Sequence, residues 1–248
     1  MQNYIQRLFL FFYDFTKQFH RVFIEKDRWR LLVKGLGITL LITACAVMLG
    51  LVLGFVVAVV RAAHDTRTGL RPLPNFLLKF FNFIAKIYLT IIRGTPVVVQ
   101  LLIIYFVIFG AVDIDKIVVS VIAFGLNSGA YVAEIVRSGI MSVDKGQMEA
   151  GRSLGLSYTQ TMTRIILPQA LKNVLPALGN EIIVLLKETS VSGFIAVADL
   201  TKGGDVIRST TYSAYLPLIA VALIYLGIVM ILSYFVTLLE RRLRSSDH

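Results

Sequence analysis

The chain of 248 residues is 56% hydrophobic and only 16% charged, and it carries a formal net charge of +10. Soluble domains are about 45–50% apolar and about 25% charged, so this composition excludes an ordinary soluble globular protein and indicates a membrane protein. The single cysteine, Cys45, excludes a disulfide-stabilised fold, because it has no partner within the chain.

The basic residues flank the apolar runs of the sequence and do not form a stripe between aromatic side chains. Charges in this arrangement set the topology of membrane proteins, whereas a nucleic-acid surface needs a basic patch or stripe. We therefore expect the chain to contact the lipid bilayer and to bind no nucleic acid.

The apolar runs predict an all-α integral membrane protein with five spans. About 20 residues at about 1.5 Å each cross the roughly 30 Å hydrocarbon core of a bilayer. The predicted spans are 35–60, 94–112, 117–133, 174–186 and 209–239. The fourth contains Asn180 and Glu181 together with Pro176 and Gly179, so we expect it to be bent and functionally important.

Two further segments, 4–23 and 75–92, mix aromatic and leucine residues with lysine and arginine. This pattern predicts amphipathic helices at the membrane interface. For the second segment, the alternative is an early start of the second span. The predicted organisation is an amphipathic N-terminal extension at 1–33, a transmembrane domain at 34–243 and a polar tail at 244–248.

The predicted orientation follows from the charges of the loops. Between the first two spans, residues 61–86 contain five basic residues against Asp65, and the C-terminal tail is also basic. Basic loops favour the cytoplasm, so five spans place the N-terminus outside and the C-terminus in the cytoplasm. The basic residues just before the first span oppose this orientation, and a further N-terminal crossing or re-entrant segment would remove the conflict.

The loop at 143–168 is too polar to lie in lipid. Its residues 147–156 predict a short helix in which Glu149 can pair with Arg152, while Ala150 and Leu154 form a small apolar face. Gly155 permits a turn, and Pro168 suits the start of the next span. An ordered loop with an apolar face is typical of a segment that docks into a partner's groove; the alternative is a plain connecting helix.

Other patterns predict packing or exclude catalysis. Thr95 and Pro96 suit the N-cap and first position of a helix, and Gly50 with Gly54, like Gly125 with Gly129, favours close helix packing. The chain has no phosphate-binding loop, no cluster of histidines or cysteines and no paired carboxylates. We therefore expect no enzyme activity, no metal site and no cofactor in this chain.

At the polar loop the sequence resembles the permease subunits of ABC importers. Their EAA loop is similar to Glu149-Ala150 with Gly155, Ile165 and Leu167-Pro168. The resemblance to the branch that takes up polar amino acids covers about 34–243. It extends to Arg93-Gly94-Thr95-Pro96 with Gln100, Asn127-Ser128-Gly129-Ala130-Tyr131 with Glu134, Lys145-Gly146-Gln147, Leu167-Pro168-Gln169-Ala170, Leu186-Lys187-Glu188-Thr189-Ser190 and Leu239-Glu240-Arg241-Arg242-Leu243.

The resemblance implies a five-span type I permease in a bacterial cytoplasmic membrane. It implies three protein partners: a dimeric ATPase that holds ATP and magnesium, an identical or homologous second permease subunit, and an extracytoplasmic solute-binding protein. The implied coupling residues are Gly146, Glu149, Ala150, Gly151, Arg152, Leu154, Gly155 and Leu156. Asp144 and Gly151 depart from the family pattern, and Gly151 should loosen the coupling helix by up to about 1 kcal/mol relative to alanine.

Helix rise locates a predicted substrate pathway. If Lys172 marks the membrane interface, Glu181 lies about 14 Å deeper, close to the bilayer centre, and Asn127 and Ser128 reach the same depth from Arg137. Tyr131 belongs to the same motif. A carboxylate at that depth is costly, so Glu181 needs a cationic ligand or, alternatively, a fixed partner from the second permease subunit.

The sequence thus predicts a permease subunit of an ATP-driven importer for polar L-amino acids, with arginine, lysine or histidine as candidate substrates. Glutamine, cystine or an opine-like amino acid are alternatives within this class. From another class, the alternative is a membrane scaffold or assembly protein whose loop recruits a partner.

Overall fold

The computed structural model describes residues 13–66 and 72–244, and these residues form a helical bundle. In chain order the helices are α1 (Trp29–Thr66), α2 (Pro72–Gly94), α3 (Val97–Ile103), α4 (Lys116–Met141), α5 (Lys145–Ser153), α6 (Tyr158–Thr161), α7 (Leu167–Glu188), α8 (Leu200–Thr211) and α9 (Tyr215–Arg244). Short π-helical or 3-10 turns lie at His20–Ile24, Glu25–Asp27, Ile104–Ile108, Met162–Ile166 and Thr189–Ile195.

Helices α1 and α4 form the central pair of the bundle. A Cβ atom on Gly54 would lie 2.5 Å from the Val132 side chain, so the two helices approach too closely for alanine. Gly50, Gly125 and Gly129 are also at close contacts. The prediction that these glycines pack helices is therefore confirmed. The buried core beside this pair contains Ile42, Ala46, Leu101, Ala123, Phe124 and Leu185.

The segment predicted as the second span is bent. Helix α3 and the π-helical turn after it cover only 97–108 of the predicted 94–112, and they make an angle of 110° with the preceding helix. Together the two parts are long and apolar enough for one broken span or a re-entrant loop. The predicted interfacial helix at 75–92 corresponds to α2, which buries Ala85 and Leu89 and exposes Phe81 and Phe83.

Three of the described helices, α1, α4 and α9, are long and apolar enough to cross a membrane, and the bent pair adds a fourth if it is one span. Helix α7 lies at the predicted fourth span and has 22 residues, about 33 Å at 1.5 Å each. It is not among these apolar helices because its polar residues lower its hydropathy. The helix continues through Pro176.

The described part of the N-terminal extension packs on the end of the bundle opposite the 143–168 loop. Residues 13–19 are helical, and Val22 and Phe23 are buried against α8 and α9. The chain is kinked at Lys26 and Asp27, whose φ angles are 58° and 54°, before α1 begins. The described part of the segment predicted as an interfacial helix at 4–23 is helical, and burial of Val22 and Phe23 holds its C-terminal end against the bundle. Its placement at the membrane interface stays a prediction, and residues 4–12 lie outside the described residues.

Asp199 is a buried acid in the connection between α7 and α8, outside the predicted spans. Its Oδ1 atom accepts a hydrogen bond from Lys202 N at 2.7 Å, while its Oδ2 atom is buried and unpartnered within the part of the chain that the structure describes. Burial raises the pKa of Asp199 from 3.8 to about 6.

We predict that this acid makes the protein less stable as pH rises. The unfolded chain releases the Asp199 proton at lower pH than the folded chain, so the folded state loses stability between about pH 4 and pH 6 and no further above that range. Thermal unfolding of wild type and Asp199→Asn in detergent, compared across this range, should show wild type losing stability relative to the variant.

Asp205→Asn is the matched control, because the stability difference between wild type and this variant should change with pH in the opposite direction. Hydrogen bonds from Arg208 and Lys202 lower the pKa of the half-buried Asp205, so wild type should lose stability relative to this variant as pH falls below the ordinary range of aspartate. Identical pH profiles for the two comparisons would contradict the assignment for Asp199.

Candidate coupling loop and substrate pathway

The loop at 143–168 folds into the two short helices α5 and α6. Asp144 accepts a hydrogen bond from Gly146 N at 2.6 Å, which starts α5 slightly earlier than predicted. Ser157 and Gln160 cap the start of α6 reciprocally, at 3.2 and 2.8 Å. Between the helices, Gly155 has φ +82°, so the predicted turn at this glycine is confirmed.

The loop is rigidly joined to the spans on both sides. Helix α6 continues through the π-helical turn at Met162–Ile166 into α7, and Pro168 lies in the first turn of α7 inside this helical stretch. Asn173 Nδ2 also donates to Ser142 Oγ at 3.0 Å, which ties α7 to the residue that follows α4. A force on the loop would therefore reach two long helices.

The surface of α5 and its C-terminal turn is exposed at the predicted docking residues. Glu149 and Ala150 are exposed, and the Leu154 side chain is 82% exposed. The predicted ion pair between Glu149 and Arg152 is wrong, because Arg152 Nη1 donates to Leu156 O at 3.0 Å and stabilises the turn. The carboxylate of Glu149 and the leucine side chain are thus available to a partner.

Gly151 is the buried residue of α5. A Cβ atom there would lie 2.5 Å from Thr161 Cγ2 and 3.2 Å from Ile165 Cδ1. Thr161 is fully buried, and its hydroxyl donates to Ser157 O at 3.1 Å. Besides its lower helix propensity, Gly151 therefore has a packing role that the sequence did not indicate, since the missing side chain lets α5 pack directly on α6.

We predict that Gly151→Ala destabilises the loop. Alanine gains up to about 1 kcal/mol of helix propensity. Overpacking against Thr161 costs about 1–3 kcal/mol, so the net effect should be a loss. Amide hydrogen exchange over 145–161 should become faster in the variant. Adding Thr161→Ser removes the methyl group at 2.5 Å but keeps the hydroxyl oxygen at 2.9 Å, so it should restore part of the protection. Slower exchange in Gly151→Ala alone would contradict the packing argument.

Glu181 and Ser128 meet in the interior of the bundle. Ser128 Oγ donates to Glu181 Oε1 at 3.0 Å, and both residues are buried. The contact agrees with the equal depth expected from helix rise. Among the residues that the structure describes, no lysine or arginine forms an ion pair with Glu181. The carboxylate therefore has a neutral partner within its own chain and capacity for a cation.

Asn127 lies beside this pair and contacts α3. Its Nδ2 atom donates to Gln100 Oε1 at 3.2 Å, while its Oδ1 atom is buried and has no hydrogen-bond partner among the described residues. Gln100 Nε2 in turn donates to Ile92 O, Thr95 O and Thr95 Oγ1 at 2.7–2.9 Å. These hydrogen bonds hold the bend between α2 and α3 against α4.

The predicted start of the helix at Thr95 and Pro96 is wrong by one residue. Pro96 is the N-cap and α3 begins at Val97, because the Thr95 hydroxyl donates to Ile91 O at 2.8 Å instead of capping α3. The structural role of the tetrapeptide 93–96 is thus to end α2 and to accept hydrogen bonds from the Gln100 side-chain amide.

Tyr131 lies on α4 beside a network of charges. The Arg93 guanidinium is 5.8 Å from the centre of the Tyr131 ring and 3.7 Å from Glu134 Oε2. Arg137 Nη2 binds Glu134 Oε1 at 2.6 Å, and its Nη1 atom lies 3.5 Å from Asp65 Oδ2. The spacing of Glu134 and Arg137 indicates their pairing, whereas nothing in the sequence indicates that Asp65 from α1 joins them.

Comparison with known proteins agrees with this architecture. Residues 73–245 match the family described as binding-protein-dependent transport system inner membrane component. The arginine transport system permease protein ArtQ of Bacillus subtilis (strain 168) is 38% identical over 218 residues, which are 87% of this chain and 94% of the relative. The glutamine transport system permease protein GlnP of Escherichia coli (strain K12) is 38% identical over 217 residues, 86% of this chain and 93% of the relative.

Two solved structures share the fold. The crystal structure of an amino acid ABC transporter with histidines is 40% identical, with a TM-score of 0.77 over 89% of this chain and 98% of that chain. An inward-facing MetNI methionine ABC transporter is 22% identical, with a TM-score of 0.70 over 86% of this chain and 96% of that chain. The predicted type I importer permease bundle is thus confirmed, and the chain belongs to the family of binding-protein-dependent transport system inner membrane components.

Proposed function

We propose that this chain is the permease subunit of an ATP-driven importer of polar L-amino acids. The observation that carries the proposal is the match over nearly the whole chain to permeases of arginine and glutamine transport systems, at 38% identity. The buried Ser128–Glu181 pair supports it, because a polar group in the middle of a membrane bundle is typical of a substrate pathway.

The 143–168 loop suggests how such a subunit receives the work of ATP hydrolysis. We assign its exposed residues Glu149, Ala150 and Leu154 to a groove on a separate ATPase, which holds ATP and magnesium, while Gly155 and Leu156 shape the turn. Because α6 is continuous with α7, displacement of the loop would move the helix that carries Glu181. This chain therefore transmits motion and performs no hydrolysis.

The remaining partners follow from the same proposal. A second permease subunit, identical or homologous, would complete the pathway between two bundles in the bacterial cytoplasmic membrane. A solute-binding protein would deliver the amino acid at the opposite end from the loop, where α8 and the described N-terminal residues lie. The exposed apolar side chains of α1 and α9 are suited to lipid or to the second subunit.

The proposed orientation places the loop in the cytoplasm. In a Cys45→Ala background, a cysteine at the exposed Thr159 should react with an impermeant thiol reagent only from the cytoplasmic side, and one at the exposed Asp113 only from outside. Labelling of right-side-out and inside-out vesicles measures this. The reverse pattern would contradict the orientation without affecting the assignment to a permease.

The transport proposal is tested in vesicles that contain the purified chain with its solute-binding protein. Uptake of radiolabelled arginine and glutamine should require the ATPase, ATP and this chain together. A scaffold protein would instead bind the ATPase but support no uptake of arginine, lysine, histidine, glutamine, cystine or an opine. That outcome would replace the proposed function with the scaffold alternative.

A further inference from the structure

A basic cavity lies between α1, α2 and α4, near the bundle end that carries the 143–168 loop. Its volume is about 360 Å³, and its lining includes four cationic side chains, Arg61, Lys86, Arg93 and Arg137, and the carboxylate Glu134. Arg61 lies little more than a turn before the end of α1, and Arg137 about a turn before the end of α4. The cavity is therefore at the level where a helix end meets lipid headgroups.

The carboxylates near this cavity already form ion pairs with Arg93 and Arg137. Glu134 binds Arg137 at 2.6 Å and lies 3.7 Å from Arg93, and Asp65 lies 3.5 Å from Arg137. In the described parts of the chain, 13–66 and 72–244, neither Arg61 nor Lys86 takes part in an ion pair. Among the described residues, four cationic side chains thus face two carboxylates, and the cavity keeps an excess of positive charge.

Arg61 also lacks an acceptor for a buried donor. Its Nε atom is shielded from solvent and makes no hydrogen bond to any residue that the structure describes. Buried N–H groups are nearly always hydrogen-bonded, and a guanidinium matches the geometry of phosphate oxygens. An oxyanion in the cavity would satisfy this donor and offset the charge of Lys86.

An apolar groove continues from the basic cavity along α1 and α2. It has a volume of about 350 Å³ and a wholly apolar accessible surface, formed by side chains that include Leu53, Val56 and Val60 of α1 and Phe81 and Ala85 of α2. Val60 directly precedes Arg61, and Ala85 directly precedes Lys86, so the groove and the cavity adjoin on both helices. Such a groove between helices accommodates a hydrocarbon chain.

We propose that these adjoining spaces form a binding site for an anionic phospholipid. The phosphate lies in the basic cavity with Arg61 and Lys86, and an acyl chain lies in the apolar groove. Basic pockets between transmembrane helices are known to bind anionic headgroups, and the apolar groove distinguishes a lipid from free phosphate. A lipid bound here would join α2 to α1 and α4 beside the Arg93–Glu134–Arg137 network.

The test measures how much phospholipid the protein retains. The full-length chain is purified together with the subunits that co-purify with it and is exchanged into mixtures of phosphatidylglycerol and phosphatidylcholine. Mass spectrometry of the extract should show that wild type retains phosphatidylglycerol preferentially. Arg61→Gln with Lys86→Gln should lower retention about tenfold or more, since two charge-assisted hydrogen bonds are lost. Lys79→Gln, an exposed lysine of α2 outside the cavity, should retain the wild-type amount.

The groove is tested separately. Val56 is 61% exposed and lines the groove, so Val56→Trp should obstruct the acyl chain and lower retention without disturbing the buried core. Val52→Trp is the matched control, because Val52 is 63% exposed one turn away and is not part of the lining. Inorganic phosphate should not displace the lipid from wild type.

Three results would overturn the proposal. Equal retention of the two lipids by wild type would show that the cavity does not select an anion. This result is obtained on wild type alone, so it does not depend on whether the variants fold. Displacement by inorganic phosphate, with no effect of Val56→Trp, would indicate a phosphate site. Loss of a co-purifying subunit instead of lipid in the charge variants would assign the cavity to a protein interface.

Discussion

Glu181→Gln should lower arginine uptake about ten- to a hundredfold, while glutamine uptake stays within about threefold of wild type. Glutamine keeps the shape of the side chain and can still accept the hydrogen bond that Ser128 Oγ donates at 3.0 Å. What the variant removes is the negative charge. Charge-assisted hydrogen bonds to a buried carboxylate contribute about 1.5–3 kcal/mol, which corresponds to the expected loss for a cationic substrate.

Competition between labelled arginine and labelled glutamine in vesicles measures this selectivity directly. Ser128→Ala is the matched control, because it removes the neutral partner and leaves the charge; it should change the uptake of both amino acids in parallel. If Glu181→Gln instead abolishes the uptake of every amino acid or prevents assembly with the second permease subunit, Glu181 is a fixed ion-pair partner. The cationic preference would then have no support, whereas the permease assignment would stand.

Gly155→Val should abolish both amino-acid uptake and the substrate-stimulated ATP hydrolysis of the assembled transporter, while membrane insertion stays normal. Gly155 has φ +82°, a backbone conformation that a β-branched residue adopts only with strain of about 1–3 kcal/mol. No atom lies within 4 Å of a Cβ built at this position, so the effect arises from the backbone and not from a clash. The strained turn would displace Leu154 and the C-terminal end of α5 from the partner's groove.

Gly155→Asn provides the control for this argument, because asparagine tolerates the left-handed region and should retain most of the activity. Glu149→Lys tests the docking surface by another route: it reverses an exposed charge on α5 without altering the turn, and it should also abolish stimulated hydrolysis. Normal hydrolysis and uptake in both Gly155→Val and Glu149→Lys would reject the loop as the coupling element.

Local patterns in the sequence determined the parts of the structure that depend on nearby residues. Hydropathy located α1, α4 and α9, since the length of an apolar helix follows directly from the thickness of the bilayer. The spacing of glycines predicted close helix packing at these positions, though not which helices meet, and the left-handed turn fell at Gly155 because glycine adopts it without steric cost. Helix rise alone placed Glu181 and Ser128 at the same depth.

Tertiary contacts decided what local patterns could not. Helix propensity favoured alanine at position 151, but the approach of Thr161 leaves no space for a Cβ atom. Capping preference favoured Thr95, but its hydroxyl bonds to Ile91 O and accepts from Gln100, so α3 begins at Val97. The pairing of Asp65 with Arg137 arises between helices that are far apart in sequence, and Arg61 and Lys86 share one cavity because of the way α1 and α2 pack. Such contacts depend on how the helices pack, and neither composition nor spacing along one helix specifies that packing.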